Sequence, residues 1–412
     1  MFNINGIFFA KICEILDFSL RYLLGLVCIT GVYATPSIVT VGKTTTIKMT
    51  QNDKNILGDK ENQLINSTTT EQNIDISATG AYSGSATTSY GWVLGLTDSK
   101  TKIYSNRNQI NFQLDFSGVT GTNGSIFSVS KGSSKATFES SLTVQFAKNS
   151  NIGQGVFLST IQNSNDPNGN DQTGSFVFKK NLYIDTSGTT NGNGGTSYIF
   201  NLDQKKGKIF VNYADTQRTA ENPLGSIVSE GNIVKLIGDV KQTGADSELN
   251  INLTNNTSYF LGKQDYLGGH LNLGLKNGGK WIVTGGNPKI NNLDIQNANE
   301  ITDGNANLQS LSTEGNISSI DLVRARVGEN GLTNATGNWR QVEINKLFGN
   351  HGLFRLLVDY SAGQKGEADH IKIQNKNTGA QSHHLQLLQD PARRDPTKNV
   401  EIEVAEIING GD

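Results

Sequence analysis

Residues 136–146 read ATFESSLTVQF, and residues 174–184 read GSFVFKKNLYI. Both begin with a Gly- or Ser-bounded strand, take a short polar step, and run into a second strand. A third segment, SEGNIVKLIGDV at 229–240, follows the same plan. Short runs within them, such as Leu142–Phe146 and Leu182–Ile184, alternate apolar with polar side chains, which is the period of a half-buried strand. The first two segments begin about forty residues apart. That spacing predicts two coils of a stacked solenoid at roughly 20 residues per coil. Strands this short cannot bury themselves. Piled in parallel on similar neighbours, they turn inward residues into continuous apolar ladders and pair their backbones above and below. The reading is an all-β fold: a right-handed parallel β-helix (β-solenoid) with a β-rich C-terminal cap.

The same short alternating runs recur outward from these segments. They include Ile110–Phe116, Leu249–Leu253 and Leu271–Leu275. No amphipathic 3.6-residue period is visible after Ala34. NSNDPNGND (163–171) and TSGTTNGNGGTS (186–197) look like insertions at outward turns. The chain divides into an N-terminal cap and first coils (35–100), the main coils (101–299), an irregular spacer or insertion (300–350) and closing coils (351–412). Tyr82, Tyr90 and Trp92 read as part of the N-terminal cap, with an exposed sugar-stacking patch as the alternative. An antiparallel sandwich stays open as a second fold. Asn123-Gly124, Asn277-Gly278 and Asp303-Gly304 are dipeptides that favour hairpin turns.

The composition suits short strands and tight turns. Among 412 residues there are 46 glycines and only 6 prolines. The net charge of −2 gives no general attraction to nucleic acid. The densest basic run, Arg393-Arg394 and Lys398, is interleaved with Asp390 and Asp395 and reads as a solvated turn. Residues 1–34 read as a signal peptide. Lys11 and Arg21 precede the apolar run Tyr22–Ile29, and Val32-Tyr33-Ala34 supplies a cleavage site. An uncleaved N-terminal anchor is the alternative. Both cysteines, Cys13 and Cys28, fall inside this leader, so thiol catalysis is not expected in the mature chain.

The search for chemistry gives no constellation. A Gly-x-Ser-x-Gly elbow and a His-Glu-x-x-His helix are both missing from the sequence. The five histidines are His270, His351, His370, His383 and His384. A metal site would draw on His383 or His384 with His370 and Asp369, but adjacent strand residues face opposite sides. Asp359, Glu401 and Glu403 are acid–base candidates by type only. Asp166 and Asp171 sit in a polar turn without the glycine placement of a calcium loop. Asn316, in EGNIS (314–318), fits an acidic-x-Asn-x-Ser glycosylation pattern. No catalytic, cofactor-binding or metal-binding residue is assigned, and no cofactor is expected.

Residues 278–297, GGKWIVTGGNPKINNLDIQN, resemble the Trp-containing coil of pertactin-like autotransporter passengers, through Trp281, Thr284-Gly285 and Asn292-Leu293. GLFRLLVDY, ADHIKI and GAQSHHLQL resemble the closing coils of the same family through Gly352, Phe354, Asp369, Ile371, Gly379, His384 and Leu387. The likeness covers roughly the last third of the mature chain; upstream it is one of style. It implies a bacterial virulence-type passenger, exported through the periplasm and outer membrane to be secreted or held at the cell surface. An outer-membrane translocator barrel is its expected partner, although no barrel is present in this sequence. The Gly-Asp-Ser-Gly motif of the family's serine-protease branch is missing. The expectation is therefore a non-catalytic, adhesin-type passenger binding host surface glycans or proteins through solenoid loops. A secreted β-helical polysaccharide lyase or hydrolase and a toxin-type passenger are the alternatives.

Overall fold

The computed structural model describes residues 36–50, 71–82, 91–96, 101–105, 108–122, 124–130, 134–160, 174–192, 195, 197–203, 206–214, 225–298, 315–328, 331–332, 339–359, 367–376, 382–389 and 401–409. The leader, Tyr90, Asp166, Asp171, Gly379 and the basic run at 393–398 lie outside these residues.

The strands stack into three parallel sheets, and the chain visits them in turn. Face 1 carries thirteen strands, face 2 six and face 3 ten. One coil runs from Ser141–Phe146 on face 1, through Phe157–Thr160 on face 2, to Ser175–Phe178 on face 3. The next returns through Leu182–Asp185, Tyr198–Leu202 and Lys208–Val211. The fold is thus a parallel β-helix. The sandwich alternative fails because nearly all neighbouring strands pair in parallel. Asn277-Gly278 shows why a hairpin dipeptide misleads here. Both residues have positive φ (50° and 88°), yet the strands they join, His270–Leu275 and Lys280–Val283, belong to faces 3 and 1. The turn makes a corner of the coil. A Cβ on Gly278 would lie 2.8 Å from the Asn256 backbone, so glycine is needed there for space as well as for φ.

Inward residues form the core ladder. On face 1 it runs Ile74, Phe112, Val144, Ile184, Leu236, Phe260, Trp281, Ile320, Phe354, each the register partner of the next. All nine are buried. Full burial of such a side chain contributes about 1.5–3 kcal/mol, which offsets the ordering of strands only four residues long. Inside the middle coils the ladder is aromatic. Phe127 and Phe157 stack at 4.8 Å, and Phe178 meets Phe157 edge-on at 4.9 Å. Tyr82 and Trp92 belong to this core, with Trp92 stacked on Phe116 at 5.8 Å. Neither offers an exposed ring for a sugar.

The coil length differs from the sequence expectation. Lys135 pairs with Ser175 one rung on, so the spacing of about forty residues is one coil and not two. The coil has three strands, and it is lengthened by the insertion that includes 163–171. Coils near twenty residues do occur where insertions are short: Glu248 pairs with His270, and Asn272 with Asn292. SEGNIVKLIGDV spans the corner from face 1 to face 2, whereas the other two segments span face 3 to face 1. Nor is 300–350 only a spacer. Ser319–Asp321 and Gln341–Phe348 supply rungs to faces 1 and 3.

Face 3 adds polar ladders to the apolar one. Asn272 donates to Asn250 (2.8 Å), and Asn292 donates to Asn272 (2.7 Å), all three buried. A second run links Asn345 to Asn291, Asn375 to Asn345 and Asn409 to Asn375. Stacked amides satisfy one another only in register, so they fix alignment as well as polarity. The N-terminal end is closed by Ser37–Val41 folding back antiparallel on Thr44–Thr50. The C-terminal region is β-rich and made of the same parallel rungs, His384–Gln389 on face 1 and Ala405–Asn409 on face 3.

Candidate functional site

Among the described residues, the last strand of face 2 is Gln264–Tyr266. From Lys280–Val283 the chain crosses directly to Lys289–Ile295 on face 3. The step leaves a cleft of about 340 Å³ beside the last face-2 strand, lined by Tyr266, His270, Lys289, Asn291, Glu343 and Asn345 among others. The Lys289 ammonium lies 5.5 Å from the Tyr266 ring centre and 3.3 Å from Glu343. Its backbone amide donates to Gln264 Oε1 at 2.8 Å. An aromatic ring, two amides and a neutralised carboxylate make a polar binding surface, of a kind suited to sugars or peptides.

The carbonyls at the truncated corner are met by Arg340. Its guanidinium donates to Val283 O (2.5 Å), Leu322 O (2.9 Å) and Thr284 O (2.7 Å). Around it lies a buried charged clasp. Asp369 accepts from Arg326 (2.8 Å) and from the Arg340 and Leu357 amides (each 2.9 Å). Asp321 accepts from Arg355 (2.5 Å) and Arg324 (3.2 Å). Burial pushes the Asp369 carboxyl up, against the pull of Arg326 and the two amides. Burial also draws the Arg340 guanidinium down to about 10, which leaves it charged at neutral pH. These groups do structural work beyond the last described strand of face 2. Of the clasp, only Asp369 stood out in the sequence, through the family resemblance.

The remaining sequence candidates disperse. His383 and His384 do not share a site. His383 Nδ1 accepts the Gly352 N–H at 3.2 Å, while its other nitrogen is buried without a partner. His384 stacks loosely with His351, with ring centres 6.2 Å apart. Asp369 is consumed by the clasp, Asp359 is buried, and Glu401 is exposed. Asn316 is exposed at a turn and accepts from Asn256 at 3.1 Å. His370, however, is brought against Glu403 and Glu406. A second cleft, of about 310 Å³ on the outer side of face 1, holds Asp75 and Asp115 from successive rungs. Sequence reading missed that pair because the two aspartates fall in strands joined by a whole coil.

Burial, with His351 and His384 nearby, lowers His383 from its ordinary 6.5 to about 4. The unfolded chain therefore binds a proton that the folded chain refuses, so stability is lost as pH falls from 6.5 toward about 4. After allowance for partial exposure the loss is roughly 1–2 kcal/mol. His383→Gln is expected to flatten that slope in denaturation midpoints measured across the window, and an unchanged slope would contradict the assignment.

The fold and these sites define the class: a β-solenoid protein with clefts on its outer surface and a charged clasp at its C-terminal coils. No protein-family model, curated protein or solved structure matches the chain.

Proposed function

We propose that the chain is a non-catalytic, exported passenger of the pertactin-like autotransporter type, acting as an adhesin at the bacterial surface. The observation that carries this reading is the parallel ladder of face 1, continuous from Ile74 to Phe354, with its turns at the corners of the coils. A stiff rod of this kind presents binding loops away from whatever holds its end. The resemblance supports it, and two of its residues, Trp281 and Phe354, belong to one core ladder, two rungs apart with Ile320 between them. The partners in this reading are an outer-membrane translocator barrel and host surface glycans or proteins, bound first through the Tyr266 cleft. Nucleic acid has no place in it.

The test is display. Fused ahead of a translocator barrel in a Gram-negative host, the chain is expected to reach the surface, become accessible to added protease and raise adherence to host cells. Tyr266→Ala is expected to reduce that adherence at least severalfold without changing display. Retention inside the cell, or display without adherence, contradicts the proposal.

A second reading, a secreted polysaccharide hydrolase, is favoured by Asp75 and Asp115 sharing one cleft. Two carboxylates on adjacent rungs, offset by two residues in register, are the residue types that acid–base cleavage of a glycosidic bond requires. Turnover of a polysaccharide by the purified chain, abolished by Asp75→Asn and Asp115→Asn, would place it first.

A further inference from the structure

The last two rungs of face 3 bring together three side chains that ordinarily bind metal. His370 opens the strand His370–Lys376, and Glu406 lies in Ala405–Asn409, the strand paired with it. Glu403 precedes that second strand. One donor atom from each of the three lies within 4.8 Å of the others. His370 Nε2 is 3.9 Å from Glu403 Oε1. The frame holding them is fixed. Lys372 is the register partner of Glu406, and the His370 amide donates to Arg340 O at 2.9 Å, next to the buried clasp.

We propose that His370, Glu403 and Glu406 hold one zinc ion across these rungs. One imidazole and two carboxylates make a three-ligand zinc set with the fourth position left for water. A nitrogen donor favours zinc over calcium or magnesium, which select oxygen. Metal–ligand bonds of about 2.0–2.2 Å put ligand atoms roughly 3.3 Å apart. The donors stand wider than that, 3.9 Å for His370 and Glu403 and within 4.8 Å for the set, and Glu403, its side chain 73 % exposed, has room to rotate inward. Two adjacent carboxylates repel one another. At present Lys372, 3.5 Å from Glu406, offsets that repulsion, and a dication does so more strongly. The ion would tie down a rung whose apolar positions are half uncovered: Ile407 is 53 % exposed and Ile408 43 %. The assignment does not depend on the adhesin reading.

The test is a calorimetric titration of the purified full chain with zinc in metal-free buffer. One ion per chain is expected, with a dissociation constant on the order of 10 µM, weaker than a closed four-ligand site. His370→Ala is expected to weaken binding by roughly tenfold or more. Glu403→Gln, at an exposed position where folding is not at risk, is expected to weaken it severalfold. Absence of binding below millimolar zinc overturns the proposal. So does binding that both variants leave unchanged.

Discussion

Asp321→Ala is expected to destabilise the chain by about 3–5 kcal/mol, the cost of leaving a buried cation without its partner. Asp321 is 1 % exposed and Arg355 2 %. The carboxylate accepts from the Arg355 guanidinium at 2.5 Å, and from the Val323 and Arg324 amides at 2.9 and 2.8 Å. Alanine removes the acceptor of these three donors and of the Arg324 guanidinium. Asp321→Asn combined with Arg355→Met should cost clearly less than the alanine variant, because the amide oxygen still serves the backbone and the more buried cation is gone, although Arg324 exchanges its carboxylate for an amide oxygen. Urea unfolding of the single and double variants checks both expectations. A single variant within about 0.5 kcal/mol of the parent, the ordinary range for surface changes, would mean that the clasp is solvated and carries little.

The second large effect lies in the aromatic core. Phe157 is fully buried and meets five other rings, those of Phe127, Phe138, Phe176, Phe178 and Phe200, at centroid distances from 4.8 to 6.2 Å. Phe157→Ala is expected to cost about 3–5 kcal/mol, because strands held in ladders above and below collapse poorly into the cavity. Phe157→Leu should cost clearly less, since most of the volume is kept. In a solenoid the loss is local before it is global. Hydrogen exchange should therefore rise first in Phe157–Thr160 and its register neighbours Ser125–Ser130 and Tyr198–Leu202, and rise least near the clasp.

The inward ladder was legible because its residues alternate. Ile110, Phe112 and Leu114 are apolar with Asn111 and Gln113 between them, and the first three are buried while the others face out. The number of faces was not legible. Face-3 strands such as Phe176-Val177-Phe178 and Ile209-Phe210-Val211 are apolar throughout, because further side chains cover their outer side. A run without alternation carries no sign of which sheet it joins, so a three-strand coil was taken as two coils. The clasp was hidden for another reason. Asp321, Arg326, Arg340 and Asp369 are spread over four segments; Asp369 was singled out only as a candidate metal ligand and by the resemblance, and the other three were not singled out at all. Only the register that stacks Ser319–Asp321 on Leu353–Asp359 turns them into a buried network. The grouping of His370 with Glu406 is likewise a product of register. Glu403 was read only as an acid–base candidate by type, and its closeness to His370 could not be read from alternation.

The central claim is that residues one coil apart sit directly over one another. In a chain with Cys13 and Cys28 changed to serine, Thr143→Cys with Tyr183→Cys tests it by disulfide formation. These two are register partners on adjacent rungs, about 4.8 Å apart by strand spacing and within reach of a disulfide. Thr143→Cys with Lys235→Cys is two rungs apart, near 9.6 Å by the same spacing, which is too far. Rapid oxidation of the first pair and none of the second is the predicted result. Failure of the first pair, or ready oxidation of the second, would contradict the stacked coil.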